Sequence, residues 1–207
     1  MINSLSIILP VYNESSRLPF AIKDIYKFLE KKLFKNIEII FVDDGSDDDS
    51  SKIIKNFIKK YKKNIKNKKV KILKFQSKKN LGKGSALKLG VKKSKGEWIL
   101  TADVDMSVNL NQICSWVNKG YIENKKFAYF GSRNHEKSKI VAKFYRVFLG
   151  NILRLVIFFL LRDELQDTQC GYKLYNKTYA RNIFGKLKSK GFAHDLELVT
   201  LLKMKNI

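Results

Sequence analysis

Cysteine, proline and, over a long stretch, acidic residues are in short supply in this chain. Its two cysteines, Cys114 and Cys170, stand far apart and form no CxxC pair. That counts against a disulfide framework or a structural zinc site, and it suits a reducing, cytosol-facing compartment. Two prolines and 11 glycines in 207 residues do not make a collagen-like or low-complexity chain. No apolar run reaches the ~18 uninterrupted residues a spanning helix needs. The nearest, Phe144 to Leu161, is broken by Arg146, Asn151 and Arg154. Met1 to Pro10 lacks the basic start of a secretory signal and reads as a buried strand, so neither a signal peptide nor a membrane span is expected. From Lys52 to Lys95 there are eighteen lysines and no Asp or Glu, within a chain of 42 Lys and Arg against 19 Asp and Glu, net +23. Such an excess can face nucleic acid, an anionic membrane or phosphorylated substrates, or simply solvate helix faces.

What the chain does have is core material, with 44% apolar and 12% aromatic residues, and a length that fits one domain, 1–207. Its first half alternates strand and helix patterns. Leu5–Leu9, Ile37–Val42, Val70–Phe75 and Trp98–Ala102 are short apolar runs that read as strands. Between them Leu18, Ala21, Ile22, Ile25, Phe28 and Leu29, then Ile53, Ile54, Phe57, Ile58 and Tyr61, recur at helical spacing, and Asn80–Lys93 reads as a third helix. Asp47–Asp49 fall where the second helix should begin, a position that favours acidic side chains. This alternation predicts an α/β fold with a mostly parallel sheet and helices on both faces. In the second half, Leu110–Asn124, a long apolar and basic segment around 140–161, and Phe192–Met204 read as helices; Phe127–Gly131 and Cys170–Tyr175 read as extended.

Ligands of such a sheet bind beyond the carboxyl ends of its strands. The residues there are Pro10-Val11-Tyr12-Asn13-Glu14, Asp43-Asp44-Gly45-Ser46 and Asp103-Val104-Asp105. The first strand is not followed by GxGxxG, which counts against a dinucleotide site. Gly82-Lys83-Gly84-Ser85 fails the phosphate-loop spacing, because position 77 is Ser and a glycine follows the lysine. Asp43, Asp44 and Ser46 fit turn formation and helix capping as well as a ligand role. Asp103 and Asp105 are sharper. Two carboxylates one residue apart at a strand end can face one hard cation, and a diphosphate leaving group needs that charge compensation.

Five segments carry a likeness to a known family: Ile7-Ile8-Leu9-Pro10-Val11-Tyr12-Asn13-Glu14, Val42-Asp43-Asp44-Gly45-Ser46, Asn80-Leu81-Gly82-Lys83-Gly84, Asp103-Val104-Asp105 and Gly131-Ser132-Arg133. Together they resemble the family 2 glycosyltransferases of the Rossmann-like GT-A fold, over nearly the whole chain. A sixth, Asp167-Thr168-Gln169-Cys170-Gly171-Tyr172-Lys173, narrows the likeness to the dolichyl-phosphate β-glucosyltransferases and their polyprenyl-phosphate relatives. The resemblance implies a nucleotide-binding half, 1–106, and an acceptor- and membrane-facing half, 107–207. It implies that Pro10, Tyr12, Asn13, Glu14, Asp43, Asp44, Lys83, Asp103 and Lys173 surround the nucleotide sugar, with Lys173 and Arg133 neutralising phosphate. Asp103 and Asp105 would carry Mg²⁺ or Mn²⁺. Asp105, Arg133 and Asp167 would serve the chemistry, Asp167 as base or orienter. Asp195 and Glu197 would lie on the acceptor side. One departure is Ser107, where mannose-transferring relatives often have glutamine; it removes a third side-chain metal ligand and disfavours mannose.

The expected reaction is inverting transfer of a hexose, glucose from UDP-glucose, to a polyprenyl phosphate. A phosphate monoester has its second pKa at about 6, so this acceptor is already a dianion near neutrality and needs little base. Lys139, Lys143, Arg146 and Arg154 punctuate the apolar residues of 140–161, as in an amphipathic helix lying at a membrane interface; a core or dimer helix has the same pattern. Peripheral attachment to an anionic membrane at its cytoplasmic face is expected, homo-oligomerisation is open, and no nucleic-acid motif is present. His135 reads as a surface residue, Cys170 as a small buried one, and His194 as a possible substrate contact. Another nucleotide sugar such as GDP-mannose, a saccharide acceptor, or a non-enzymatic basic binding module are the alternatives.

Overall fold

The computed structural model describes residues 3–64, 69–122, 127–131, 169–191 and 193–204. Arg133, His135, Asp167 and the amphipathic segment 140–161 lie outside the described residues. Six strands and six helices are described: β1 Ser4–Val11, α1 Leu18–Glu30, β2 Asn36–Asp43, α2 Ser50–Asn64, β3 Val70–Gln76, α3 Lys83–Lys93, β4 Trp98–Thr101, α4 Gln112–Asn118, β5 Ala128–Phe130, β6 Lys173–Asn176, α5 Lys177–Lys186 and α6 His194–Lys203.

The strands form one sheet in the order β3-β2-β1-β4-β6-β5. The first four are parallel, with Ile7 facing Ile39 and Leu100 across the ladder, and β6 runs antiparallel to both β4 and β5. The order of connection reverses at β1, with β2 and β3 on one side of it and β4 on the other, and the carboxyl ends of β1, β2 and β4 share one edge.

Two cores, one on each face, explain why the parallel strands read as continuous apolar runs. Leu5, Ile7, Leu9 and Val11 of β1 point to the face covered by α1, α2 and α4. Ile8, with Ile40, Val42, Ile99 and Tyr175, points to the face covered by α3, α5 and α6. The helix α1 buries Leu18, Ala21, Ile25 and Phe28, the three- and four-residue spacing of one helical stripe. On the same side Phe57 meets Tyr26 edge-on at 5.4 Å and Phe41 at 6.1 Å. Burial of a large apolar side chain of this kind contributes about 1.5–3 kcal/mol.

Three elements differ from the sequence reading. The helix expected over Leu110–Asn124 is only Gln112–Asn118. Tyr121 N donates to Trp116 O and Gly120 N to Val117 O, a Schellman cap with Gly120 in the left-handed region. The helix expected from Asn80 begins at Lys83, because Gly82 holds φ 98. Cys170–Tyr175 is extended only from Lys173; before it, Tyr172 accepts from Ile113 N at 2.9 Å and donates to Leu110 O at 3.2 Å, tying that segment to α4. Both cysteines are buried.

Candidate active site

The loops after β1 and β2 are stitched to each other. Asn13 N donates to Ser46 Oγ at 3.1 Å and Asp47 N donates back to Asn13 Oδ1 at 3.1 Å. Glu14 N donates to Ser50 Oγ at 2.8 Å, and Asp48 accepts from Ser15 N and Ser50 N, each at 2.9 Å. Burial alone would raise the Asp48 pKa, but the hydrogen bonds from Ser50 and Ser15 prevail and bring it down to about 2. These bonds hold Tyr12, 45% exposed, as an open ring on the wall of a cleft.

Asp43 and Asp44, adjacent in sequence, do different things. Asp43 is fully buried. Its Oδ1 accepts from Ser46 N at 2.9 Å; Lys74 Nζ stands 3.2 Å from Oδ2, an ion pair whose angle makes no good hydrogen bond. Asp44 reaches across to the next loop, accepting from Gly82 N at 2.6 Å and Leu81 N at 3.1 Å. That anchors the start of α3 at the sheet edge. Only glycine suits position 82, since φ is 98 and a Cβ would stand 2.5 Å from Lys190 O.

A cleft of ≈460 Å³ opens over these strand ends, and Pro10, Tyr12, Glu14, Asp44, Lys83, Asp103 and Asp105 all line it. Asn13, Asp43 and Lys173 do not. Lys83 Nζ lies 2.6 Å from Asp103 Oδ1. Asp103 rests on Gly171, where a Cβ would stand 2.3 Å from Oδ2, and Thr101 Oγ1 donates to Gly171 O at 3.0 Å to keep that backbone close. After a turn closed by Met106 N donating to Asp103 O at 3.1 Å, Asp105 accepts from Ser107 Oγ at 2.5 Å and Ser107 N at 3.0 Å. The pair also lines a second hollow of ≈100 Å³, with Gln169 and Cys170 across from it. The two carboxylates are hard oxygen donors on one wall, which fits Mg²⁺ or Mn²⁺. Among the described residues no group of three or more His, Cys, Asp or Glu could hold a metal, so the remaining ligands of such an ion would be water or diphosphate oxygens. Ser107 gives its hydroxyl to Asp105.

Behind the cleft lies a buried polar cluster. Lys173, 2% exposed, pairs with Asp195, and its ammonium stands 5.6 Å from the centre of the Phe130 ring. His194 Nε2 is 3.4 Å from Asp195 Oδ1 and Nδ1 is 2.9 Å from Gly191 O. Burial pushes the His194 pKa down against the pull of Asp195. Glu197 clamps a strap: its carboxylate accepts from Lys188 N at 2.7 Å and Ser189 N at 2.6 Å. Further along the strap, Lys190 O accepts from Ser85 N at 3.1 Å, and Gly191 lines the cleft. His194, Asp195 and Glu197 themselves do not line it. Sequence reasoning placed Asp48 at the start of α2 but missed its bond to the loop after β1, and it missed Lys74 and the clamp. Lys74 carried one faint signal, a charge inside an apolar strand; the clamp carried none, since its acceptors are backbone amides.

A mostly parallel α/β sheet with helices on both faces is the fold of the GT-A glycosyltransferases. Solved structures agree on the fold. A glucosyl-3-phosphoglycerate synthase from Mycobacterium tuberculosis, in complex with Mn²⁺, UDP and phosphoglyceric acid, superposes at a TM-score of 0.61 with 14% identity, covering 98% of this chain and 65% of that one. The mannosyltransferase PcManGT from Pyrobaculum calidifontis, in complex with GDP-Man and Mn²⁺, does so at 0.58 with 16% identity, covering 97% and 52%. The chain belongs to glycosyl transferase family 2, whose model matches residues 6–184. Among curated relatives, it is 37% identical to a dolichyl-phosphate β-glucosyltransferase of Dictyostelium discoideum over 98% of this chain and 63% of the relative. It is 33% identical to the human protein of the same name, over 94% and 61%. The chain thus spans about three fifths of the length of the curated relatives it matches. No described helix is long and apolar enough to cross a membrane.

Proposed function

We propose that this protein transfers a hexose, glucose from UDP-glucose, to a polyprenyl phosphate of dolichyl type, with inversion at the anomeric carbon. The observation that carries the reading is the cleft in which Asp103, Asp105 and Lys83 share a wall with Tyr12 and Glu14. The identity to dolichyl-phosphate β-glucosyltransferases supports the choice of sugar and acceptor.

In this reading a phosphate oxygen of the acceptor attacks the anomeric carbon. The new carbon–oxygen bond forms as the bond to the nucleoside diphosphate breaks, and the diphosphate leaves with the electron pair. The acceptor is already largely dianionic at neutral pH, so no proton need be removed. Asp103 and Asp105 would hold Mg²⁺ or Mn²⁺, which supplies charge compensation for the leaving diphosphate. Lys83 adds a positive charge to the same wall, and Tyr12 offers its exposed ring to the nucleoside. Asp43, Asp44 and Asn13 act through the loops they hold. Lys173 and Asp195 neutralise each other beneath the site, and Glu197 keeps the strap on its wall. Arg133, for phosphate, and Asp167, as orienter, complete the proposal from outside the described residues. Residues 1–106 serve the donor and 107–207 the acceptor. Segment 140–161 lies at the cytoplasmic face of an anionic membrane, where the acceptor resides.

The test is a donor screen with purified protein, Mg²⁺ and a short polyprenyl phosphate. Label from UDP-glucose should enter the organic-solvent extract as a β-linked product. Asp103→Ala should lower turnover by at least about a hundredfold, the scale of losing a group that stabilises developing charge. Turnover with GDP-mannose alone would overturn the sugar, label confined to the aqueous phase would overturn the acceptor, and an α-linked product would overturn inversion.

A further inference from the structure

Two ion pairs stand on the cleft wall among the described residues, Arg17–Glu14 and Lys83–Asp103. The second engages a carboxylate that the proposed reaction needs for a metal. Lys83 Nζ is 2.6 Å from Asp103 Oδ1, with the side chains 21% and 36% exposed. The carboxylate has little freedom, because it lies against the Gly171 backbone with no room for a Cβ between them. The backbone of the lysine is also anchored, since Asp44 fixes Leu81 N and Gly82 N just before it. Its four-carbon stem is not, and it ends in a compact charge that suits exchange between anionic partners.

We infer that Lys83 is a placeholder cation. It occupies Asp103 when the cleft is empty and competes there with a divalent ion. It moves to the diphosphate when a nucleotide sugar offers it a second anionic partner. The inference rests on the proposed function in taking Asp103 as a metal ligand. Two positive charges cannot share one carboxylate oxygen without repulsion. Metal alone must therefore displace the ammonium into water, whereas metal arriving with a diphosphate displaces it onto phosphate oxygens. The consequence is coupled binding: nucleotide strengthens metal binding and, by linkage, metal strengthens nucleotide binding by the same factor. Without an acidic residue from Lys52 to Lys95, no neighbour in sequence offers Lys83 another carboxylate.

The experiment follows free Mn²⁺ by electron paramagnetic resonance during titration of the purified full chain, with and without UDP. It compares wild type with Lys83→Met, Lys83→Gln and Lys83→Arg, and uses Asp103→Asn to locate the ion. With Mn²⁺ alone, the two neutral variants should bind roughly three- to fivefold more tightly than wild type, the scale of a partly exposed ion pair. Lys83→Arg should behave as wild type, and UDP should enhance Mn²⁺ binding by a smaller factor in the neutral variants. Neutral variants that bind Mn²⁺ no more tightly than wild type, while UDP-supported binding is intact and lost in Asp103→Asn, would overturn the placeholder and leave the proposed metal site standing. Absence of Mn²⁺ binding to wild type even with UDP would overturn both. Circular-dichroism melting shows that the variants are folded, and either neutral variant suffices.

Discussion

Four acidic residues near the sheet edge show how little residue type says about role. Asp43 is sealed against Lys74, Asp44 holds two amides, Asp48 ties the loop after β1 to the start of α2, and Asp103 faces open cleft. Environment separates them, and at Asp103 that environment includes the missing side chain of Gly171. In Gly171→Ala the new methyl meets Asp103 Oδ2 at a distance no Cβ tolerates, so the carboxylate must shift. A displacement of about 1 Å in a reacting site costs roughly a hundredfold in rate. We expect Gly171→Ala to lower kcat on that scale and to weaken Mn²⁺ binding, while the melting temperature falls only a few degrees. Wild-type kinetics in this variant would show that Asp103 has room elsewhere.

At the scale of elements, β6 and α6 are joined by charges that the sheet buries. Removing one partner of such a pair leaves the other uncompensated, at a cost of about 3–5 kcal/mol, whereas an apolar replacement of both is often neutral or better. Lys173→Met alone should therefore lower unfolding free energy in urea by that amount, and adding Asp195→Leu should recover most of it. Equal losses for the single and double variants would argue against the pairing. Glu197 and its strap make a different kind of link, from a helix to a loop at the cleft. Burial alone would raise the Glu197 pKa, but the bonds from Ser189 and Lys188 prevail and lower it. A carboxyl held below its unfolded value stabilises the fold above the ordinary glutamate range and loses that contribution as pH falls through its folded value. Asp48, at about 2, acts in the same direction. Glu197→Ala should cost about 1 kcal/mol, below the value for fully buried charged bonds because solvent screens the group. It should also raise the donor KM more than it lowers kcat, and its stability difference from wild type should shrink on acidification below the glutamate range. Steady-state kinetics and melting at several pH values read these effects.

For the whole molecule, charge and topology matter most. A net +23 opposes compaction by self-repulsion, and salt screens it, with a Debye length of about 10 Å at 0.1 M. Thermal stability should rise between roughly 0.02 and 0.3 M NaCl; a melting temperature that falls instead would mean that attractive pairs dominate. Much of the fold was legible in the order of residues. Periodicity located β1 to β4 and their helices to within a few residues, because a strand buried on both faces is a short apolar run and a helix buried on one face repeats every three or four residues. The motifs at the ends of β1, β2 and β4 were legible for the same reason, as topology sends parallel strand ends to one edge. What sequence alone determined is therefore the α/β class and the convergence of Tyr12, Glu14, Asp44, Asp103 and Asp105 on one edge, while the likeness of its motifs pointed to the family and to Lys83. Only the tertiary structure decided that Lys173 and Asp195 turn to each other beneath the cleft, that Glu197 clamps a strap and that Gly171 supports Asp103. Each of these depends on distances between residues remote in sequence and on backbone groups that every residue carries, and neither leaves a mark in residue type or spacing.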